Sequence, residues 1–237
     1  MNIILLIILI IIVICILVSC FCNVDYFTNL MYNNDNDNNN DNDNDNIIYY
    51  EIDDFLTNKE CDEVLNKKHM FESSQVIDSN PTTKDRTSTQ VWLDNFEYSD
   101  LNNKLLNLAN QYSNYKVDIG KSEDIQLVQY YPGQQYKAHY DQCNLEEESC
   151  KEDFTVWKSL RYMTVLVYLN DDFEGGETEF PNLNIKIKPK KGKALIFFNI
   201  KINNESLSSS KRLEDSLHSG LPVKSGKKYI INKWFRM

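Results

Sequence analysis

Apolar residues are spread unevenly along this chain, and their spacing divides it into distinct parts. Ile3 to Val18 is an unbroken run of Ile, Leu, Val and Cys. Ser19-Cys20-Phe21-Cys22 extends it to roughly 20 mostly apolar positions, the length that spans bilayer hydrocarbon. No Lys or Arg precedes Lys59, so flanking charge does not orient the segment. The pattern predicts a transmembrane signal-anchor over residues 1–22, with a cleaved secretory signal peptide as the alternative. Residues 23–46 follow, and Asn33 to Asn46 is almost purely Asn and Asp. Such a tract has no apolar surface to bury, so a disordered linker is expected.

From Ile47 the pattern is that of a folded domain. Thr57-Asn58-Lys59-Glu60 has the form of a capping box, with Cys61, Val64 and Leu65 as the buried stripe of a helix ending near Lys68. A second helix is predicted from Asp100 to Ser113, with Leu101, Leu105, Leu108 and Tyr112 at helical spacing. Both lie in a helical and strand portion, 47–122. From Ile125 the grammar is that of strands, predicted at 125–131, 136–141, 161–169, 177–180, 184–188, 194–199, 215–218 and 228–236. Turn signals such as Pro132-Gly133, Gly175-Gly176 and Ser225-Gly226 separate several of them. Short strands at this density predict a mostly β sandwich or jelly roll over 123–237, with flanking helices.

Composition narrows the function classes. The chain has 237 residues, 42% hydrophobic and 12% aromatic, enough for one sizeable core beyond the N-terminal tracts. Its formal charge of -10 argues against a nucleic-acid partner, which calls for clustered Lys and Arg. The local run Lys186, Lys188, Lys190, Lys191 and Lys193 reads as the solvated face of a strand and its turn.

Candidate chemistry concentrates in a few residues. The chain holds 3 histidines, His69, His139 and His218. His139 and Asp141 are two apart, so on a strand they share a face. With His218 they make up the two-imidazole, one-carboxylate set of non-haem Fe(II) oxygenases, which leaves positions open for co-substrate and oxygen. Taken singly, a strand-borne histidine is more often structural, and His69 sits at a predicted helix end where a dipole contact suffices. Lys228 follows His218 by ten residues. It shares strand parity with Ile230, Asn232 and Trp234, a face expected to point into the barrel. Of 6 cysteines, Cys143 and Cys150 flank an acidic loop and are candidates to pair in an oxidising lumen, with Cys61 buried in its helix. Asn204-Glu205-Ser206 is a glycosylation sequon for a lumenal domain.

Several segments together resemble one family, the 2-oxoglutarate/Fe(II)-dependent prolyl 4-hydroxylases of the collagen type. They are Tyr130-Tyr131-Pro132-Gly133 through His139-Tyr140-Asp141, Arg161 through Asn170, Glu174 through Pro181, Pro189 through Phe198, and His218-Ser219-Gly220 through Lys228 to Trp234. Arg86-Thr87-Ser88 with Trp92-Leu93 looks like the family's upstream signature. Tyr229 stands where the family often has Trp. The resemblance covers residues 47–237 and implies a double-stranded β-helix (jelly-roll) core. It implies Fe(II) held by His139, Asp141 and His218, and 2-oxoglutarate held by Lys228, Tyr130 and Thr164. Lysine at 228 resembles the collagen-type members, where other branches use arginine.

The implied reaction hydroxylates peptidyl proline with O2 and 2-oxoglutarate, releasing succinate and CO2, with ascorbate keeping the iron reduced. A related oxygenase acting on lysine or a non-peptide substrate, and a non-catalytic binding module on the same fold, are the other readings. The expected partner is a proline-containing protein. The expected location is a membrane, single-pass with the domain in the secretory lumen, or secreted after cleavage, or a host membrane or virion for a viral source.

Overall fold

The computed structural model describes residues 49–67, 70–74, 85–204 and 206–237. The predicted anchor, the linker and His69 lie outside them. Among the described residues no helix is long and apolar enough to cross a membrane. Three α-helices are described: α1 (Asn58–Asn66), α2 (Ser99–Tyr112) and α3 (Glu148–Trp157). The strands in chain order begin with β1 (Tyr49–Ile52), β2 (Glu72–Ser73), β3 (Thr89–Leu93), β4 (Ile125–Tyr130) and β5 (Tyr136–His139). Next come β6 (Arg161–Tyr168), β7 (Glu174–Gly175), β8 (Thr178–Phe180), β9 (Ile185–Ile187) and β10 (Ala194–Phe198). The remainder are β11 (Ile200–Lys201), β12 (Lys211–Arg212), β13 (His218–Gly220), β14 (Val223–Ser225) and β15 (Lys228–Arg236).

Two sheets face each other. The major sheet has 7 strands in the order β1-β10-β6-β15-β4-β3-β2, so β15 lies in its middle, between β6 and β4. The minor sheet has 4, in the order β5-β13-β8-β9. Alternation along the major strands feeds two cores. Leu166, Tyr168, Leu195, Phe197 and Ile230 point between the sheets, together with Phe180 and Ile187 of the minor sheet. Met163, Val165, Val167, Ile196 and Ile231 point the other way, onto Cys61 and Val64 of α1 and Leu105, Leu108 and Ala109 of α2. Burial on both faces explains why β6 and β10 read as continuous apolar runs rather than alternating ones. Each fully buried side chain of this kind contributes about 1.5–3 kcal/mol by leaving water.

The α1 start is a complete capping box: Thr57 Oγ1 accepts from the Glu60 backbone N–H, and the Thr57 N–H donates to Glu60 Oε2. The predicted helices agree with α1 and α2 to within two residues. Two local expectations differ. Residues 214–216 form a 3-10 turn, closed by Ser216 Oγ donating to Leu213 O, and the strand begins only at His218. The acidic segment expected as a loop after the iron strand becomes α3, whose first turn carries Cys150, bonded to Cys143. The basic run is exposed at Lys186 and Lys188 as expected, but its later lysines are partly covered and paired: Lys190 reaches Asp53 and Asp54, Lys191 reaches Asp62, and Lys193 reaches Glu51.

Candidate metal centre and co-substrate pocket

Strand pairing brings the candidate ligands together. In β5 and β13 the antiparallel register sets His139 directly opposite His218, so two imidazoles distant in sequence leave neighbouring backbones side by side. Their ring centroids are 4.3 Å apart. Asp141 follows β5 immediately, and its carboxylate lies 3.7 Å from His139 Nε2 and 3.9 Å from His218 Nε2. One ligand atom from each of the three fits within 4.8 Å.

Hydrogen bonds fix which nitrogens face inward. His139 Nδ1 lies 2.7 Å from Lys137 O and His218 Nδ1 lies 2.9 Å from Ser216 O. A carbonyl can only accept, so each Nδ1 carries the proton and each Nε2 presents a lone pair toward the carboxylate. That is the tautomer a metal ligand requires. Burial, then the nearby His218, pushes His139 down to about 3, so the imidazole is neutral at neutral pH. Burial alone would raise the Asp141 carboxyl, but the two imidazoles, Arg161 and the Thr164 hydroxyl outweigh it and keep it ionised. The donor set therefore fits a divalent cation: two neutral nitrogens and one anionic oxygen, already deprotonated.

The cavity beside this cluster is lined by Tyr130, Tyr136, Leu166, Thr178, Lys228 and Trp234, among others. Lys228 is 2% exposed and its Nζ donates to Gly176 O at 2.7 Å. Its ammonium is 5.2 Å from the Tyr130 ring and 5.6 Å from that of Tyr168. A buried cation whose hydrogen-bond acceptor is a neutral carbonyl is costly alone, so the pocket suits an anionic ligand end. Gly176 is where the chain must come close: at φ +68, an added Cβ would meet Lys228 Cδ at 3.1 Å.

Thr164 and Thr178 are placed differently from the expectation. Thr164 is opposite Trp234 across β6 and β15, six residues of strand from Lys228 and about 20 Å along the backbone. Its hydroxyl donates to Asp141 Oδ2 at 2.6 Å, at the ligand end of the cavity. Thr178, which the sequence places in the predicted strand 177–180 with no site role, lines the pocket at the ammonium end. Its Oγ1 lies 2.6 Å from the Tyr168 hydroxyl. The signal available for Thr178 was its position two residues beyond Gly176.

Arg161 anchors the frame. Its guanidinium donates twice to Glu123, at 2.6 Å each, once to Asp141 O at 3.2 Å, and lies 4.3 Å from the Trp234 ring centroid. Arg236 donates to the same Glu123 at 2.7 Å. Asn204 is exposed and accepts from the Tyr115 hydroxyl at 3.2 Å.

Comparison with known proteins agrees with this geometry. The model of the 2OG-Fe(II) oxygenase superfamily matches residues 125–236. A protein of Acanthamoeba polyphaga mimivirus that carries a provisional prolyl 4-hydroxylase name is 36% identical over 193 residues, covering 79% of this chain and 73% of that one. The chain belongs to the prolyl 4-hydroxylase type of 2OG-Fe(II) oxygenase. The viral collagen prolyl hydroxylase of Paramecium bursaria Chlorella virus-1, solved as its 2OG complex, superposes with a TM-score of 0.58. Its identity is 34%, and the match covers 81% of this chain and 97% of that one. The bovine prolyl 4-hydroxylase subunit alpha-1 is 30% identical over 165 residues, which is 66% of this chain and 28% of the subunit. The likeness to that larger protein is confined to about a quarter of its length.

Proposed function

We propose that this oxygenase is a prolyl 4-hydroxylase that converts peptidyl proline to 4-hydroxyproline using O2 and 2-oxoglutarate. One oxygen atom ends in the product hydroxyl and the other in succinate, with CO2 released. The observation that carries the reading is one cavity lined by two inward-facing Nε2 atoms, an ionised carboxylate and, farther in, a buried ammonium.

In this reading His139, Asp141 and His218 hold Fe(II). Lys228 binds the distal carboxylate of 2-oxoglutarate, with Tyr130 and Thr178 beside it. When bound, Fe(II) and 2-oxoglutarate supply the oxidising chemistry that the side chains lack. The chain contributes position and dryness. Lys228 neutralises a carboxylate that would otherwise be buried unpaired. Leu166, Ile230 and Tyr136 wall off water, and Arg161 holds the Asp141 backbone in place through its bond to Asp141 O. Ascorbate as a reductant and the apolar 1–22 segment as a membrane anchor, with the domain in a secretory lumen, complete the proposal.

Incubating the full chain with Fe(II), 2-oxoglutarate and proline-containing peptides tests it. Succinate release with one oxygen atom added to proline is the expected result. Added oxygen on lysine instead would move the activity to a related oxygenase, and iron binding without succinate would leave a binding module.

A further inference from the structure

We infer that Asn199 and Thr164 form a two-step hydrogen-bond relay. It locks the Asp141 carboxylate so that Oδ1 alone is presented to the metal. The inference rests on reading His139, Asp141 and His218 as the metal site, and it assigns Thr164 and Asn199 as positioning residues for that site.

The direction of the relay follows from donor and acceptor chemistry alone. An ionised carboxylate can only accept, so the Thr164 hydroxyl spends its single proton on Asp141 Oδ2, 2.6 Å away. Thr164 Oγ1 is then left as an acceptor. The group 2.9 Å from it, on Asn199, must therefore be the amide NH2 rather than the amide oxygen. Reversing the amide would set two acceptors against each other at 2.9 Å. Asn199 is 0% exposed and Thr164 1%, so neither hydrogen bond competes with solvent.

A second observation sets this pair apart from ordinary core polarity. Orienting the NH2 toward Thr164 leaves Asn199 Oδ1 buried without a hydrogen-bond partner. An unpaired buried carbonyl costs about 1–3 kcal/mol, which an apolar residue at 199 would avoid. The fold carries that cost in order to keep a donor on Thr164. Asp141 Oδ1, by contrast, has no hydrogen bond and lies 3.7 Å from His139 Nε2. Oδ2, which lies 3.9 Å from His218 Nε2, takes the Thr164 proton, and Oδ1 takes none.

The consequence is coordination number. A carboxylate ligating through one oxygen leaves three positions open on a six-coordinate metal, whereas a chelating carboxylate leaves two. Three are needed if a two-point co-substrate and oxygen are to bind together. Without the relay, Asp141 can rotate about its terminal bond and present both oxygens.

Metal titration of the full chain tests this without turnover, using Mn(II) for affinity and the visible spectrum of Co(II) for coordination. Thr164→Val, which keeps shape and removes the hydroxyl, should weaken Mn(II) binding about 10–100-fold and alter the Co(II) spectrum. Thr164→Ser should retain wild-type affinity and spectrum. Asn199→Leu should shift both in the direction of Thr164→Val while leaving the unfolding midpoint close to wild type or above it. If Thr164→Val does not fold, the Thr164→Ser and Asn199→Leu pair carries the comparison. Wild-type affinity with an unchanged Co(II) spectrum in Thr164→Val, or in Asn199→Leu when that variant stands alone, overturns the relay. Failure of the wild-type chain to bind metal would instead overturn the underlying site.

Discussion

At the scale of single residues, burial sets the protonation of Lys228. Loss of water around the ammonium pushes it down to about 7, well below the ordinary lysine value. Without co-substrate the group is charged below pH 7 and becomes a neutral amine as pH rises through 7. A bound dicarboxylate restores the charge, so binding takes up a proton above pH 7. Affinity for 2-oxoglutarate is therefore expected to be greatest below pH 7 and to fall by up to about tenfold per unit above it. Isothermal titration on either side of pH 7, in buffers of different ionisation enthalpy, reads both the affinity and the proton. Lys228→Met should abolish the proton uptake and cost about 3 kcal/mol or more in co-substrate affinity, because it leaves a carboxylate buried and unpaired. Glu123→Gln is expected to cost folding about 1–3 kcal/mol, since it removes the carboxylate charge that Arg161 and Arg236 share, and a urea midpoint measures it. That His139, Asp141, His218 and Lys228 line one cavity was legible in the sequence, because spacing and strand parity bring them together. Thr164 was not, because parity gives the face of a strand and not the distance along the cavity. Only the β6–β15 register puts it opposite Trp234.

At the scale of elements, the segment after the metal strand depends on a covalent link. The Cys143–Cys150 bond closes a loop with sequence separation 7 and ties the start of α3 to the residues just after Asp141. Cys143→Ser with Cys150→Ser should lower stability by about 2 kcal/mol, read as a lower melting temperature that reductant no longer changes. Hydrogen exchange should rise first in residues 142–157. At the other end of the domain, Thr57→Ala should cost about 1 kcal/mol by removing the α1 cap. The helix caps and the apolar stripes of α1 and α2 were readable because they are local. Helix α3 was not: its sequence is acidic, and among its described residues the contacts to the domain include Cys150, the half-buried Phe154 and Trp157 against Arg236. β1 to β3 escaped for a related reason. They are short strands: β1 pairs with β10 and β3 with β4, far along the chain, and β2 only adds on to β3.

For the molecule as a whole, the metal centre joins two parts of the minor sheet, and ligand binding should report on folding. Mn(II) together with 2-oxoglutarate, at a hundredfold excess over their Kd, should raise unfolding stability by about 2.7 kcal/mol or more. A chelator should reverse the gain, and calorimetry of the full chain would show it. The same placement governs how the protein is made. β15 supplies the middle of the major sheet and also Lys228, yet in chain order it comes after every other described strand. A ribosome must pass residue 236, and the tunnel must release it, before β4 and β6 have a neighbour to bridge them. Iron captured by a nascent chain would have His139 and Asp141 but no closed barrel. Closure of the pocket around Lys228 therefore waits for β15, and until that strand docks β4 and β6 each leave an edge unpaired.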